Sequence, residues 1–311
     1  VKATTIGALF VAGGAVLWGT DALFRGDMAE SVPAATIVFW EHVVLAAVTA
    51  FAMPAALRLL RRAGWRVVLA VLAIGIGASA VATALFTEAF SYGDYTTPVL
   101  LQKVQPIVAV VGAWLLLGER PRAGYGPFLL LGLVGAWLIA FRDPFDVSFG
   151  EARPALLALA AAALWAAGTV LGRYVAPVFA PRELTALRFW FGLLGAAAVV
   201  AVTGSSLTVG GEWHVRLVLL ALVPGLVAML FYYRGLKRTP AMVATLCELA
   251  FPLTAAVVPP LLLDEPALSV SQGVGVALTA AVVLGLTLAQ SAGRRRDAGV
   301  VEAPDRALAS A

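Results

Sequence analysis

Apolar residues along this chain gather into long runs, separated by short breaks that hold charge, proline or glycine. A run of about 20 residues, rising about 1.5 Å per residue as a helix, matches the hydrocarbon thickness of a bilayer. The breaks divide the sequence into ten expected membrane spans, at 5–24, 34–57, 66–90, 95–117, 123–141, 154–174, 184–203, 215–236, 241–263 and 268–290. The connections are short and leave no room for a soluble domain between spans. From Gly293 a polar, Arg-rich tail follows, whose composition predicts disorder. The expected fold class is an all-α polytopic membrane protein.

Composition agrees with the pattern. The chain is 61% hydrophobic and 13% charged, about half the charged fraction of a soluble domain. The lone Cys247 excludes an internal disulfide framework. The net charge of +4 is explained by where the basic residues fall, so it gives no reason to expect nucleic-acid binding. With the N-terminus placed inside, the inward side carries Lys2, Arg58, Arg61, Arg62, Arg66, Arg120, Arg122, Arg173, Arg182, Arg234, Lys237, Arg238 and Arg294 to Arg296. The outward side carries only Arg25, Arg142, Arg153 and Arg216. That alternation predicts both termini in the cytoplasm. The Arg- and Ala-rich composition fits a bacterium with a GC-rich genome, hence a bacterial cytoplasmic (inner) membrane. The first run is read as a span rather than a signal peptide, because it is long and lacks a small-x-small cleavage site.

The chain repeats itself. At an offset of 146 residues, QKVQPIVAVVGAWLLLGE (102–119) lies on ELAFPLTAAVVPPLLLDE (248–265) without a gap. Pro106 falls on Pro252, Leu115-Leu116-Leu117 on Leu261-Leu262-Leu263, and Glu119 on Glu265. More loosely, Leu17-Trp18 recurs at Leu164-Trp165, Phe39-Trp40 at Phe189-Trp190, and Gly124-x-Gly126 at Gly273-x-Gly275. Five spans per repeat is an odd number, so the second half enters the membrane upside down. Inverted repeats of this kind place a substrate site near the midplane, between the halves. The expected divisions are 1–145 and 146–292 for the repeats and 293–311 for the cytoplasmic tail.

Ten spans in two halves, an LW in the first helix of each, and "P…LLLGE" closing the fourth resemble the EamA-type members of the drug/metabolite transporter superfamily. The resemblance covers nearly the whole chain. It implies a central cavity walled by helices 1, 3, 4, 6, 8 and 9, with helices 5 and 10 peripheral. It is closest in overall pattern to exporters of amino acids, aromatic ones included.

The candidate residues are those that a lipid-facing helix would not tolerate. Glu248 lies about eight residues, or roughly 12 Å, into the ninth span, so it is expected to face a cavity or a partner. Pro252 has no N–H for the carbonyl of Glu248, which predicts a kink and a freed backbone oxygen. Pro106 does the same for Gln102. Such a pair of sites suits an ammonium group, against the plainer reading of a kink with a protonated glutamate. Lys103 holds a substrate carboxylate or pairs with Glu248, Glu88 or Glu41. Trp18 and Trp165, each about twelve residues deep, stack on an aromatic substrate or pack the core between halves. Glu88 is counted with the substrate-binding set, and with its mate Arg234 forms a gate pair or a snorkelling surface charge. Tyr232 joins the same set, with an interfacial-belt role as the alternative it shares with Tyr233. Glu41-His42 is a pH-sensitive or a structural pair, and His214 reads as loop. Gly75, Gly77, Gly132, Gly135, Gly192 and Gly195 allow close helix approach.

No HExxH, GxSxG, Walker A or cysteine pair is present, so neither an enzyme nor a metal or cofactor site is expected. The reading is a secondary transporter that exports amino acids or similar small metabolites by alternating access, as a monomer in the bilayer. Carriage of drugs, phosphorylated metabolites or nucleotide sugars in the same fold is the alternative. The phosphate chemistry would call for several cavity Lys or Arg residues. A multidrug proton antiporter would call for a mid-membrane acid in the first helix, where only Asp21 near the outer end is available.

Overall fold

The structure is a computed structural model, and it describes residues 3–90, 92, 101–102, 104–121, 124–141, 143–145, 152–262, 267–292 and 301–302. Among these residues, seven helices are long and apolar enough to cross a membrane. Three shorter apolar helices, Gln105–Leu117, Tyr125–Ala140 and Val270–Leu286, fall where the remaining spans are expected. The protein is therefore an α-helical, multi-pass membrane protein, with a short strand pair outside the spans. Val301–Glu302 pairs antiparallel with Arg120–Pro121.

Several spans are composite. The first passes from Ala3–Trp18 into Asp21–Ser31, reaching seven residues beyond the predicted limit of 24. Its second helix opens with the Asp21–Arg25 ion pair, one helical turn apart and 2.7 Å long. The third runs from Trp65–Leu72 through the π-helical segment Ala73–Val81 into Ala82–Phe90. The eighth does the same, from His214–Leu220 through π-helical Ala221–Val227 into Ala228–Leu236. At the offset of 146, Ala221–Val227 falls on Gly75–Val81, so both repeats carry the wider turn at one register. His214, expected in a loop, opens its helix.

The ninth span is broken where a kink is expected. Ala241–Cys247 ends, Glu248 and Leu249 form a turn, and the chain resumes as Ala250–Leu262 with Pro252 in its first turn. Pro106 likewise sits in the first turn of Gln105–Leu117, where its missing N–H is needed least. The expected free carbonyl on Glu248 is corrected by this geometry: the Phe251 N–H donates to it at 2.9 Å. Ending the helix supplies an i+3 donor in place of the one proline lacks.

Packing between the halves follows a swap. Ala3–Trp18 lies against Ala228–Leu236, as Ala152–Val175 lies against Ala82–Phe90. Ala3–Trp18 touches Ala250–Leu262, as Ala152–Val175 touches Gln105–Leu117. Tyr125–Ala140 pairs with its own mate, Val270–Ala292, as Ala34–Thr49 pairs with Pro181–Thr203. This is the contact pattern of two units related by a two-fold axis.

Small residues set the closest crossings. A Cβ on Gly275 would lie 2.7 Å from the Gly135 carbonyl oxygen, and one on Gly75 would overlap the Phe191 Cβ. Gly132, Gly192 and Gly195 are similarly tight, whereas Gly77 meets only Leu164 at 3.5 Å.

Candidate functional site

A cavity of about 260 Å³ lies between the two halves. Its walls come from spans 1, 3, 4, 6, 8 and 9, and also from spans 2 and 7 through His42 and Arg188; among the described residues, none of the lining belongs to span 5 or 10.

Glu248 sits at the break in the ninth span and is held from three sides. Gln105 Nε2 donates to Oε2 at 2.7 Å, and Thr169 Oγ1 donates to Oε1 at 3.1 Å. Tyr232 Oη lies 2.8 Å from Oε1 and also 2.8 Å from Thr169 Oγ1, with one proton to give. These donors come from Gln105–Leu117, Ala152–Val175 and Ala228–Leu236. One carboxylate thus ties both halves together across the cavity.

Two ring pairs flank the same space. Trp18 packs on Tyr232 with centroids 5.0 Å apart, and Trp165 meets Phe86 edge to face, also at 5.0 Å. Phe86 falls on Tyr232 at the offset of 146, and Trp18 corresponds to Trp165, so the two pairs are repeat mates. The symmetry is broken in its polar part. Tyr232 bonds Glu248, while Phe86 has no hydroxyl, and Glu248's mate Gln102 has a buried Oε1 with no partner among the described residues. The hydroxyls of Thr87 and Thr245, which also line the cavity, likewise have no partner among the described residues. Buried polar groups are normally paired, and orphans gathered around one cavity mark a place where a polar ligand or water completes them.

Toward one end of the cavity, Arg25 bridges Asp21 at 2.7 Å and Glu41 at 3.0 Å. His42 contacts the Val38 carbonyl at 2.8 Å and Ser79 Oγ at 2.9 Å, and its ring fills the space over Gly192. Glu41 and His42 therefore serve different partners and are not a pair.

A pair of matches to the family model for EamA-like transporters, over residues 5–141 and 152–288, places one copy on each half of this arrangement. The chain belongs to the EamA-like transporter family. Among relatives of this EamA chain, the riboflavin transporter ImpX of Fusobacterium nucleatum is 33% identical over 191 residues, covering 58% of this chain and 62% of its own length. The uncharacterized transporter YwfM of Bacillus subtilis is 28% identical over 191 residues, covering 61% of this chain and 62% of its own length. The chain thus spans 62% of the length of each of these relatives. A solved crystal structure at 24% identity superposes with a TM-score of 0.73 over 90% of this chain and 96% of the other, and shares its fold.

Set against this EamA fold, the residues expected from the sequence divide. Trp18, Gln102, Pro106, Trp165, Tyr232, Glu248 and Pro252 line the cavity. Glu88 is exposed and outside the lining, and Arg234 is exposed with its guanidinium over the Phe10 ring at 4.9 Å. Lys103 and Glu265 lie outside the described residues. Sequence reasoning missed Gln105, Thr169, Phe86 and Arg188. The repeat itself carried a signal for Phe86, as the mate of Tyr232, and Arg188 was visible as a charge within an apolar run.

Proposed function

We propose that the chain is a secondary transporter that exports small aromatic metabolites, aromatic amino acids first among them, by alternating access. The observation that carries this reading is the pair of repeat-related ring contacts, Trp18–Tyr232 and Trp165–Phe86, facing one central cavity. Indole and phenyl rings offer broad apolar faces and favour offset or edge-on contact with a further ring. A site built twice, once in each half, is available from either side of the membrane as the halves rock against each other. Glu248 supplies the polar end. A carboxylate has about four acceptor positions, and the three donors of the protein leave capacity for an ammonium group.

The relative named as a riboflavin transporter favours a second reading, a planar heterocycle such as riboflavin between the same rings. Both are tested by counterflow in proteoliposomes preloaded with L-tryptophan, L-phenylalanine, L-alanine, riboflavin or a nucleotide sugar. The proposal predicts accumulation of labelled tryptophan with tryptophan or phenylalanine inside, and none with alanine or the nucleotide sugar. Counterflow of riboflavin without tryptophan replaces the amino acid by the heterocycle. Counterflow of neither would overturn the aromatic reading.

A further inference from the structure

Arg188 lies seven residues into Pro181–Thr203, is 9% exposed, and lines the cavity. Its Nη2 donates to the Ala78 carbonyl at 3.0 Å, and its Nη1 donates to Tyr233 Oη at 3.3 Å. Its Nε is buried and has no partner among the described residues. Among the described residues, no carboxylate comes within ion-pair distance of it. Arg25, the other cavity guanidinium, differs, since two carboxylates hold it. A buried guanidinium with two neutral partners is costly in a membrane protein unless an anion compensates it. Its planar fork suits a carboxylate.

We propose that Arg188 is the anion-binding group of this cavity and takes the carboxylate of the substrate. The inference rests on the aromatic-substrate reading and narrows it. With Glu248 on span 9 and Arg188 on span 7 lining one cavity, and the ring pairs beside them, the ligand class is an aromatic carboxylate, and a zwitterion uses both charges. Arg188 thereby fills the role that the sequence offers to Lys103. The plainer role for Arg188 is structural, clamping the Ala78 carbonyl in the π-helical segment to Tyr233. The test separates the two by reading ligand preference.

Purified full-length protein is titrated with L-tryptophan, with indole-3-propionate (the acid without the amine) and with tryptamine (the amine without the acid). The wild type should bind tryptamine about 10- to 100-fold more weakly than tryptophan, the effect of losing a charge-assisted hydrogen-bonded pair. Arg188→Gln should bind tryptophan and tryptamine alike, and Arg188→Lys should restore part of the preference. The wild-type preference among the probes reads the proposal even if Arg188→Gln fails to fold. Tryptamine binding the wild type as tightly as tryptophan would overturn the Arg188 assignment while leaving the aromatic reading in place. So would an undiminished preference in a folded Arg188→Gln. Failure of all three probes to bind the wild type would overturn both.

Discussion

Glu248 is surrounded by hydrogen-bond donors, so its substitution is most informative when it changes charge and hydrogen-bond sense and little else. Glu248→Gln removes the negative charge; with its amide oxygen toward Gln105, its N–H₂ faces the Thr169 and Tyr232 hydroxyls, which must then accept instead of donate. Exchanging a charge-assisted carboxylate hydrogen bond for a neutral one costs about 1–2 kcal/mol. The expected outcome is loss of at least about 10-fold in transport, with a symmetric size-exclusion peak in detergent showing retained fold. Full transport by this variant would remove Glu248 from the site. Glu248 was legible in the sequence because a carboxylate stands out in an apolar run. Its partners were not, because Gln105 and Thr169 are ordinary helix residues until a third dimension brings them together. The carbonyl expected to be free failed for a local reason: proline arguments assume that the helix continues, and here it stops.

Among elements, the break in the ninth span is supported from the other half. Gly118 ends Gln105–Leu117 at φ +66°, a left-handed conformation that glycine adopts without the Cβ penalty. The turn carries Glu119 onto the start of Ala241–Cys247, where its carboxylate accepts the N–H groups of Ala241 at 3.0 Å and Met242 at 3.1 Å. Burial pushes the Glu119 carboxyl above its usual range, and these two N–H groups and Arg173, 3.9 Å away, draw it back. Tyr125 adds a hydrogen bond to the Met242 carbonyl at 2.9 Å. The "LLLGE" landmark is thus a helix stop followed by a cap for a half-helix of the opposite repeat. Glu119→Ala should lower stability by about 1–3 kcal/mol, read as a lower thermal midpoint in detergent, and an unchanged midpoint would contradict the capping role. Gly75→Ala tests the third span against the seventh. Its new methyl meets the Phe191 Cβ and, at 3.0 Å, the Arg188 carbonyl oxygen. Overpacking of this kind costs about 1–3 kcal/mol, so its midpoint should fall, while Gly77→Ala, with room at its site, should leave the midpoint near that of the wild type. The glycines were readable as close-approach residues, but which of them touch backbone required the crossings. The π-helical segments had no signal in the hydrophobic pattern, since one extra residue in a turn does not alter apolar composition.

For the whole molecule, the duplication explains why so much was legible. Ten spans, two halves and a cavity between them follow from run length, an odd span count and the gapless match of 102–119 on 248–265. The walls added by spans 2 and 7 did not follow, because a polar residue in an apolar run shows only that it avoids lipid, and the packing decides that His42 and Arg188 turn toward the cavity. Duplication also explains the site: two copies of one aromatic contact, differentiated by Tyr232 with Glu248 on one side and Phe86 with Gln102 on the other. The central claim is that both ring pairs serve one substrate. It is tested most directly by tryptophan counterflow through Trp18→Ala and Trp165→Ala in proteoliposomes at matched protein density. Each variant, although its altered residue lies in a different repeat, should reduce initial counterflow by about 10-fold or more while remaining monodisperse. Wild-type counterflow from either variant would contradict it.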